Sequence, residues 1–121
     1  MKYAAIILLL FFVIIQGCYY DNKDILNPGG QACDTAIVTY SGTINPLLTT
    51  YCTGCHSGAN APLGVRLDTY NGTKSQVSNG KLLGTINHSP GFIPMPKNDN
   101  KLNDCNIAKI RKWITNGALN N

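Results

Sequence analysis

The stretch Cys52-Thr53-Gly54-Cys55-His56 decides how the rest of the chain is interpreted. Two thiols stand three residues apart, and an imidazole follows the second one directly. Covalent haem attachment requires this arrangement, because each thiol adds across a vinyl group of the porphyrin and the histidine becomes an axial ligand of the iron. Cys52, Cys55 and His56 are therefore predicted to hold one c-type haem. The motif is short, so the prediction also requires an export signal, a second ligand and helices around the ring.

The first residues have the pattern of an export signal. Lys2 is followed by an apolar run from Ala4 to Ile15, which is typical of a secretory signal peptide and is too short for a permanent membrane-spanning helix. The run ends in Ile15-Gln16-Gly17-Cys18, which resembles the lipobox of bacterial lipoproteins. Residues 1–17 are predicted to be a lipoprotein-type signal peptide, with lipid on Cys18. The alternative is an ordinary signal or an uncleaved anchor with an incidental cysteine, and both place the domain outside the cytoplasm.

Length and composition indicate one small domain after the signal. Residues 18–32 are polar and end in turn formers, so they are predicted to be a flexible tether, and residues 33–121 are predicted to form the domain. Charged residues make up 13% of the chain, which carries a formal net charge of +4. No basic run is present, so nucleic acid is not expected as a partner.

The domain is predicted to be all-α, with three to four short helices. After an extended lead-in at 37–40, the first helix spans Thr43–Tyr51, with Pro46 in its first turn. A second spans Thr69–Ser78, and a brief third carries Leu82, Leu83 and Ile86. The last helix has Asn103 as its N-cap and Gly117 as its stop, and Leu102 and Ile107 form a hydrophobic staple. Residues 57–64 and 87–97 are predicted to be loops.

Apolar residues at helical spacing indicate which faces pack inward. The first helix carries a stripe of Ile44, Leu47, Leu48 and Tyr51. The last helix carries Ile107, Ile110 and Ile114 on one stripe, with Trp113 at its flank, while Lys109, Arg111 and Lys112 are predicted to face water. The first and last helices are expected to pack together around the haem.

The second axial ligand has two candidates in the domain, Met95 and His88. Met95 lies in Ile93-Pro94-Met95-Pro96, where two prolines restrict the backbone and can present a thioether rigidly from a loop. A thioether ligand raises the reduction potential relative to a second imidazole. We therefore predict Met95 as the sixth ligand, with His88 as the runner-up.

The five cysteines can all be assigned. Cys18 is predicted to carry lipid, Cys52 and Cys55 to carry haem, and Cys33 and Cys105 to form a disulfide. That disulfide would close a loop of about seventy residues and contribute ~4 kcal/mol in the chain-entropy model. The alternative, two free thiols, is not expected in an oxidising compartment.

These residues together resemble a known family. The Cys-x-x-Cys-His motif, the Met95-Pro96 loop and the segment from Leu102 to Ile114 are similar to small class I-type cytochrome c domains of bacterial lipoproteins. The resemblance covers most of residues 33 to 118. It implies an all-α fold, one covalent haem c with His56 and Met95 as axial ligands, and electron transfer at the periplasmic or outer-surface side of the bacterial cell envelope.

The leading hypothesis is an electron carrier, which is not an enzyme, that serves a donor and an acceptor redox protein. A haem-based sensor or an accessory subunit of a redox complex is the alternative, in which Met95 dissociates and a gas binds. A thiol oxidoreductase using Cys52 and Cys55 is a weaker alternative, because such pairs follow a buried strand in a βαβ context. A zinc site is a minor alternative, since few thiols and histidines remain unassigned.

Overall fold

A computed structural model describes residues 32–121, and within this range it contains helices, turns and loops but no strand. The predicted signal peptide, Cys18 and nearly all of the tether lie outside the described residues. Helix α1 opens as a π-helical turn, Tyr40–Ile44, and continues as an α-helix, Asn45–Tyr51; α2 is Tyr70–Ser78, α3 is Lys81–Ile86 and α4 is Asp104–Thr115. A 3-10 turn, Pro62–Gly64, lies between α1 and α2. The all-α prediction is confirmed for this part of the chain.

Helix α1 begins three residues earlier than predicted. The Thr39 hydroxyl accepts a hydrogen bond from the Gly42 amide at 3.1 Å and caps the first turn, a contact that favours helix initiation. Ile44 and Leu48 are buried in the core as expected. Tyr51 is 44% exposed, so its predicted place in the packing stripe is wrong. It stands in the last turn of α1, directly before the cysteine motif.

Helices α2 and α3 form a hairpin whose bounds agree with the prediction. The Thr69 hydroxyl accepts from the Gly72 amide at 3.2 Å and caps α2. Gly80 has φ +74° and separates α2 from α3. Only glycine adopts this left-handed conformation without a steric cost from Cβ, so the chain can turn back within two residues.

Helix α4 has the two ends that the sequence predicts. The Asn103 side chain accepts from the Asn106 amide at 2.8 Å. At the other end, the Gly117 amide donates to Ile114 and the Ala118 amide to Trp113, which is the Schellman arrangement. These bonds satisfy backbone groups that a helix terminus otherwise leaves unpaired.

Helix α4 differs from the prediction at Trp113 and at Lys109. Trp113 is only 1% exposed and belongs to the centre of the core, whereas Ile114 is partly buried. The indole lies 5.6 Å from the Tyr40 ring and donates from Nε1 to the Leu119 carbonyl at 2.9 Å. Lys109, predicted to face water, is half-buried because it lines a groove between α1 and α4.

The core lies where α1, α3 and α4 meet, and α4 packs against the first turn of α1. Its buried apolar residues are Val38, Tyr40, Ile44, Leu48, Leu82, Ile86, Leu102, Ile107, Ile110, Trp113 and Ala118. The last residues fold back over α1, where Asn121 accepts from the Tyr40 and Ser41 amides. The sulfur atoms of Cys33 and Cys105 are 2.02 Å apart, at disulfide distance, as predicted. This link ties the start of the domain to the first turn of α4.

Candidate functional site

The cysteine motif forms one further turn at the end of α1. The Cys55 amide donates to the Cys52 carbonyl at 3.2 Å, and the His56 amide donates to the same carbonyl at 2.9 Å. Cys52 is half-buried, Cys55 is exposed, and neither belongs to a disulfide. The turn therefore brings two reduced thiols and an imidazole together on a rigid support, the C-terminal end of a helix that is anchored in the core.

His56 is held in one orientation by the backbone that follows it. Its Nδ1 lies 3.1 Å from the Val65 carbonyl oxygen. A carbonyl can only accept, so Nδ1 carries the hydrogen, and in the neutral ring Nε2 then keeps its lone pair. The Leu67 amide also donates to the His56 carbonyl at 2.8 Å. The ring and the backbone of His56 are thus both fixed, and the nitrogen with the lone pair is the one able to bind a metal.

The loop that supplies the Val65 carbonyl is itself braced by an ion pair. Arg66 donates to Asp68 from Nε at 3.1 Å and from Nη2 at 3.0 Å. Asp68 also accepts from the Gly58 amide at 3.0 Å. The hydrogen bond from Arg66, with that from Gly58, lowers the pKa of the Asp68 carboxyl from 3.8 to about 2. Asp68 thus links Gly58, near the start of this loop, to Arg66, near its end.

Neither Val65 nor Asp68 was predicted as part of the site. The role of Val65 is played by its main-chain oxygen, which has no signature in the sequence. In the sequence, only the spacing of Arg66 and Asp68 by two residues could have indicated their ion pair. That spacing is common on protein surfaces and does not mark a functional loop.

Met95 lies in an ordered, non-helical loop, as predicted for residues 87–97. The Met95 amide donates to the Thr85 carbonyl at 3.1 Å, and the Ser89 amide donates to the Gly84 carbonyl at 3.0 Å. The loop also packs against α3, because the Phe92 ring covers Gly84 so closely that a Cβ there would lie 2.6 Å from the ring. Met95 is thereby anchored to α3, whereas His56 is anchored to the loop after α1.

His88, the runner-up ligand, contacts the predicted ligand itself. Its Nε2 lies 3.1 Å from the Met95 carbonyl oxygen. Since the carbonyl accepts, Nε2 carries the hydrogen, which is the opposite of the arrangement in His56. In this conformation, the nitrogen of His88 that faces the loop has no lone pair to offer to a metal.

Burial has a clear effect on one of the two motif thiols. It raises the pKa of Cys52 from 9.0 to about 11. A thiol with a raised pKa is a weak nucleophile at neutral pH, because the thiolate is the reactive form.

The side chains near the motif and near Met95 differ in chemistry and in exposure. Within residues 32–121, no group of three His, Cys, Asp or Glu side chains is placed to hold a metal. Large apolar side chains are left in water on the loops after the motif and around Met95: Leu63 is 95% exposed, Ile93 62% and Phe92 38%. The groove between α1 and α4 contains none of the predicted site residues.

None of the described helices is long and apolar enough to span a bilayer.

No protein-family model matches the chain, and none of the curated proteins or solved structures is detectably similar to it. The functional assignment therefore depends on the chain's own residues.

Proposed function

We propose that this protein carries electrons outside the cytoplasm by means of one covalently attached haem c. Cys52 and Cys55 form the two thioether bonds, and His56 and Met95 are the axial ligands. When bound, the haem supplies an iron that takes up and releases one electron. The protein supplies the ligands, an apolar surround and a docking surface for a donor and an acceptor redox protein, and it catalyses no change in a substrate.

The observation that best supports this proposal is the hydrogen bond that orients the His56 ring. The hydrogen bond from Nδ1 to the Val65 carbonyl selects the tautomer with the lone pair on Nε2. Metal-binding histidines commonly donate their other N–H to a carbonyl or a carboxylate, because this contact fixes the ring and raises the basicity of the ligating nitrogen. A histidine directly after a Cys-x-x-Cys turn that is held in this way is prepared to bind iron through Nε2.

Met95 is the better of the two candidates for the second ligand. Its backbone is fixed on both sides, and its thioether has no proton to lose, so it can bind iron at any physiological pH. His88 donates Nε2–H to the Met95 carbonyl and would have to break that bond to coordinate through Nε2. A thioether ligand also gives the higher potential of the two alternatives.

The competing hypotheses predict different chemistry at the same residues. A thiol oxidoreductase needs a thiol with a lowered pKa, and the raised pKa of Cys52 argues against that function. A haem-based sensor would require Met95 to leave the iron readily, which its anchored backbone disfavours.

We also propose that Cys18 carries lipid and that the protein lies at the periplasmic or outer-surface side of the bacterial cell envelope.

The test is expression of the full chain in a host that has the machinery for c-type haem attachment. A pyridine haemochrome spectrum and an intact mass should show one haem that survives acid extraction. The double variant C52S/C55S should lose the covalent haem, and C33A should keep it, which makes C33A the matched cysteine control. Absence of a c-type band from the wild-type protein would overturn the proposal.

The sixth ligand is tested with two further variants. Met95→Ala should lower the potential, remove the weak sulfur-to-iron band of the ferric protein and allow carbon monoxide to bind the reduced protein. His88→Ala should leave the sulfur-to-iron band in place. A bis-histidine spectrum of the wild-type ferric protein would show that the Met95 assignment is wrong.

A further inference from the structure

The loop that carries Met95 is attached to the fold by contacts at successive points. The Ser89 amide binds the Gly84 carbonyl near its start, and the Phe92 ring packs on Gly84 in its middle. Met95 itself is bound through both of its backbone polar groups, the amide to Thr85 and the carbonyl to His88. Thr85 belongs to α3, whereas His88 is the only side chain that hydrogen-bonds Met95 itself among the described contacts.

We infer that His88 is the residue that positions Met95, and that it controls how firmly the thioether is held at the iron. This rests on the proposed function, in which Met95 is the sixth ligand. The Nε2–H of His88 binds the Met95 carbonyl and the Thr85 carbonyl binds the Met95 amide, so opening of the loop at Met95 has to break both bonds. With both groups bound, the peptide units on either side of Met95 cannot rotate, and the side chain leaves the backbone in one direction.

The backbone of His88 indicates that this contact is maintained at a cost. His88 has φ +55°, in the left-handed region, where a non-glycine residue is disfavoured by contact between Cβ and the backbone. Glycine would adopt this conformation without that steric cost. The hydrogen bond from the His88 ring to the Met95 carbonyl therefore has to offset the backbone strain at His88.

The structure also explains why a histidine suits this position. The ring is half-buried, and its N–H reaches across seven residues of chain to the Met95 carbonyl. Arg111 Nη2 donates to the side chain of the adjacent Asn87 at 3.5 Å, but neither an Asp nor an Arg hydrogen-bonds the His88 ring among the described contacts. A neutral donor on a planar, stiff side chain is what the geometry requires, and a glutamine amide can replace it in reach and in donor capacity.

The experiment compares His88→Ala, His88→Gly and His88→Gln with the wild-type holoprotein. Loss of one hydrogen bond shifts an opening equilibrium by about three- to tenfold. His88→Ala and His88→Gly should therefore speed exchange of the Met95 amide by that factor, lower the reduction potential and speed carbon monoxide binding to the ferrous protein. His88→Gln should restore all three. His88→Gly also relieves the left-handed strain, so its thermal stability should equal or exceed that of His88→Ala.

These readouts separate the two proposals. If the wild type shows the sulfur-to-iron band and His88→Ala leaves the potential, carbon monoxide binding and Met95 amide exchange unchanged, the positioning role is wrong and the proposed function stands. If the wild type lacks that band, the ligand assignment fails; amide exchange at Met95 then still decides whether His88 holds the loop. A loss of thermal stability in His88→Ala with no change in potential or in carbon monoxide binding would show a structural role only.

Discussion

Removal of the Cys33–Cys105 link should destabilise the domain by a large and calculable amount. The two cysteines are 72 residues apart in sequence, so the link closes most of the described chain into one loop. In the chain-entropy model a loop of this length contributes about 4 kcal/mol at 25 °C, because it removes conformations from the unfolded state. For a domain of this size that loss lowers the melting temperature by about 16–30 °C.

The assay is urea unfolding of C33A and of C33A/C105A beside the wild-type holoprotein, each in the ferric state. Cys33 is half-buried and Cys105 is 2% exposed, so C33A removes the link with little change in packing. The double variant adds only the loss of one buried sulfur, and the two should agree within about 1 kcal/mol. Wild-type stability in C33A would refute the link. A loss confined to the double variant would show that packing at Cys105, rather than loop closure, stabilises the fold.

Three further predictions concern local structure. Gly72→Ala places Cβ against the Arg66 carbonyl oxygen, and this clash, costing about 1–3 kcal/mol, should outweigh the helix-propensity gain of about 1 kcal/mol. A variant that is more stable in urea would contradict this prediction. Asn103→Ala should cost about 1 kcal/mol by loss of the N-cap of α4, and Asn103→Asp should not. The pKa of Asp68 is lower in the folded state than in the unfolded state. Its contribution to stability is therefore complete above about pH 4 and is lost as the pH falls towards 2, so acid unfolding curves of Asp68→Asn should be flatter over that range.

The helices were predictable because their signals are local. Asn103 and Gly117 at the ends of α4 satisfy backbone groups within one turn of the chain, and helical spacing located the buried Ile44 and Leu48. The early start of α1 was missed because Pro46 marks the start of the α-helical segment, whereas Thr39 initiates the preceding π-helical turn.

The remaining differences come from contacts between a helix or motif and the backbone that follows it. Trp113 is central because the C-terminal residues fold back and offer the Leu119 carbonyl to its indole N–H. Helical periodicity describes one helix at a time and cannot include such a partner. The carbonyls of Val65 and Met95 also could not be predicted, because main-chain oxygens leave no side-chain pattern in the sequence. They determine which nitrogen of His56 and of His88 carries a hydrogen.

The central claim is that Cys52, Cys55 and His56 hold a covalent haem. The most direct measurement is the intact mass and pyridine haemochrome spectrum of the protein expressed with the haem-attachment machinery. The account predicts a mass increase of one haem, a c-type band, and loss of both in C52S/C55S. A wild-type protein with the mass of the bare polypeptide and two free thiols at Cys52 and Cys55 would contradict it.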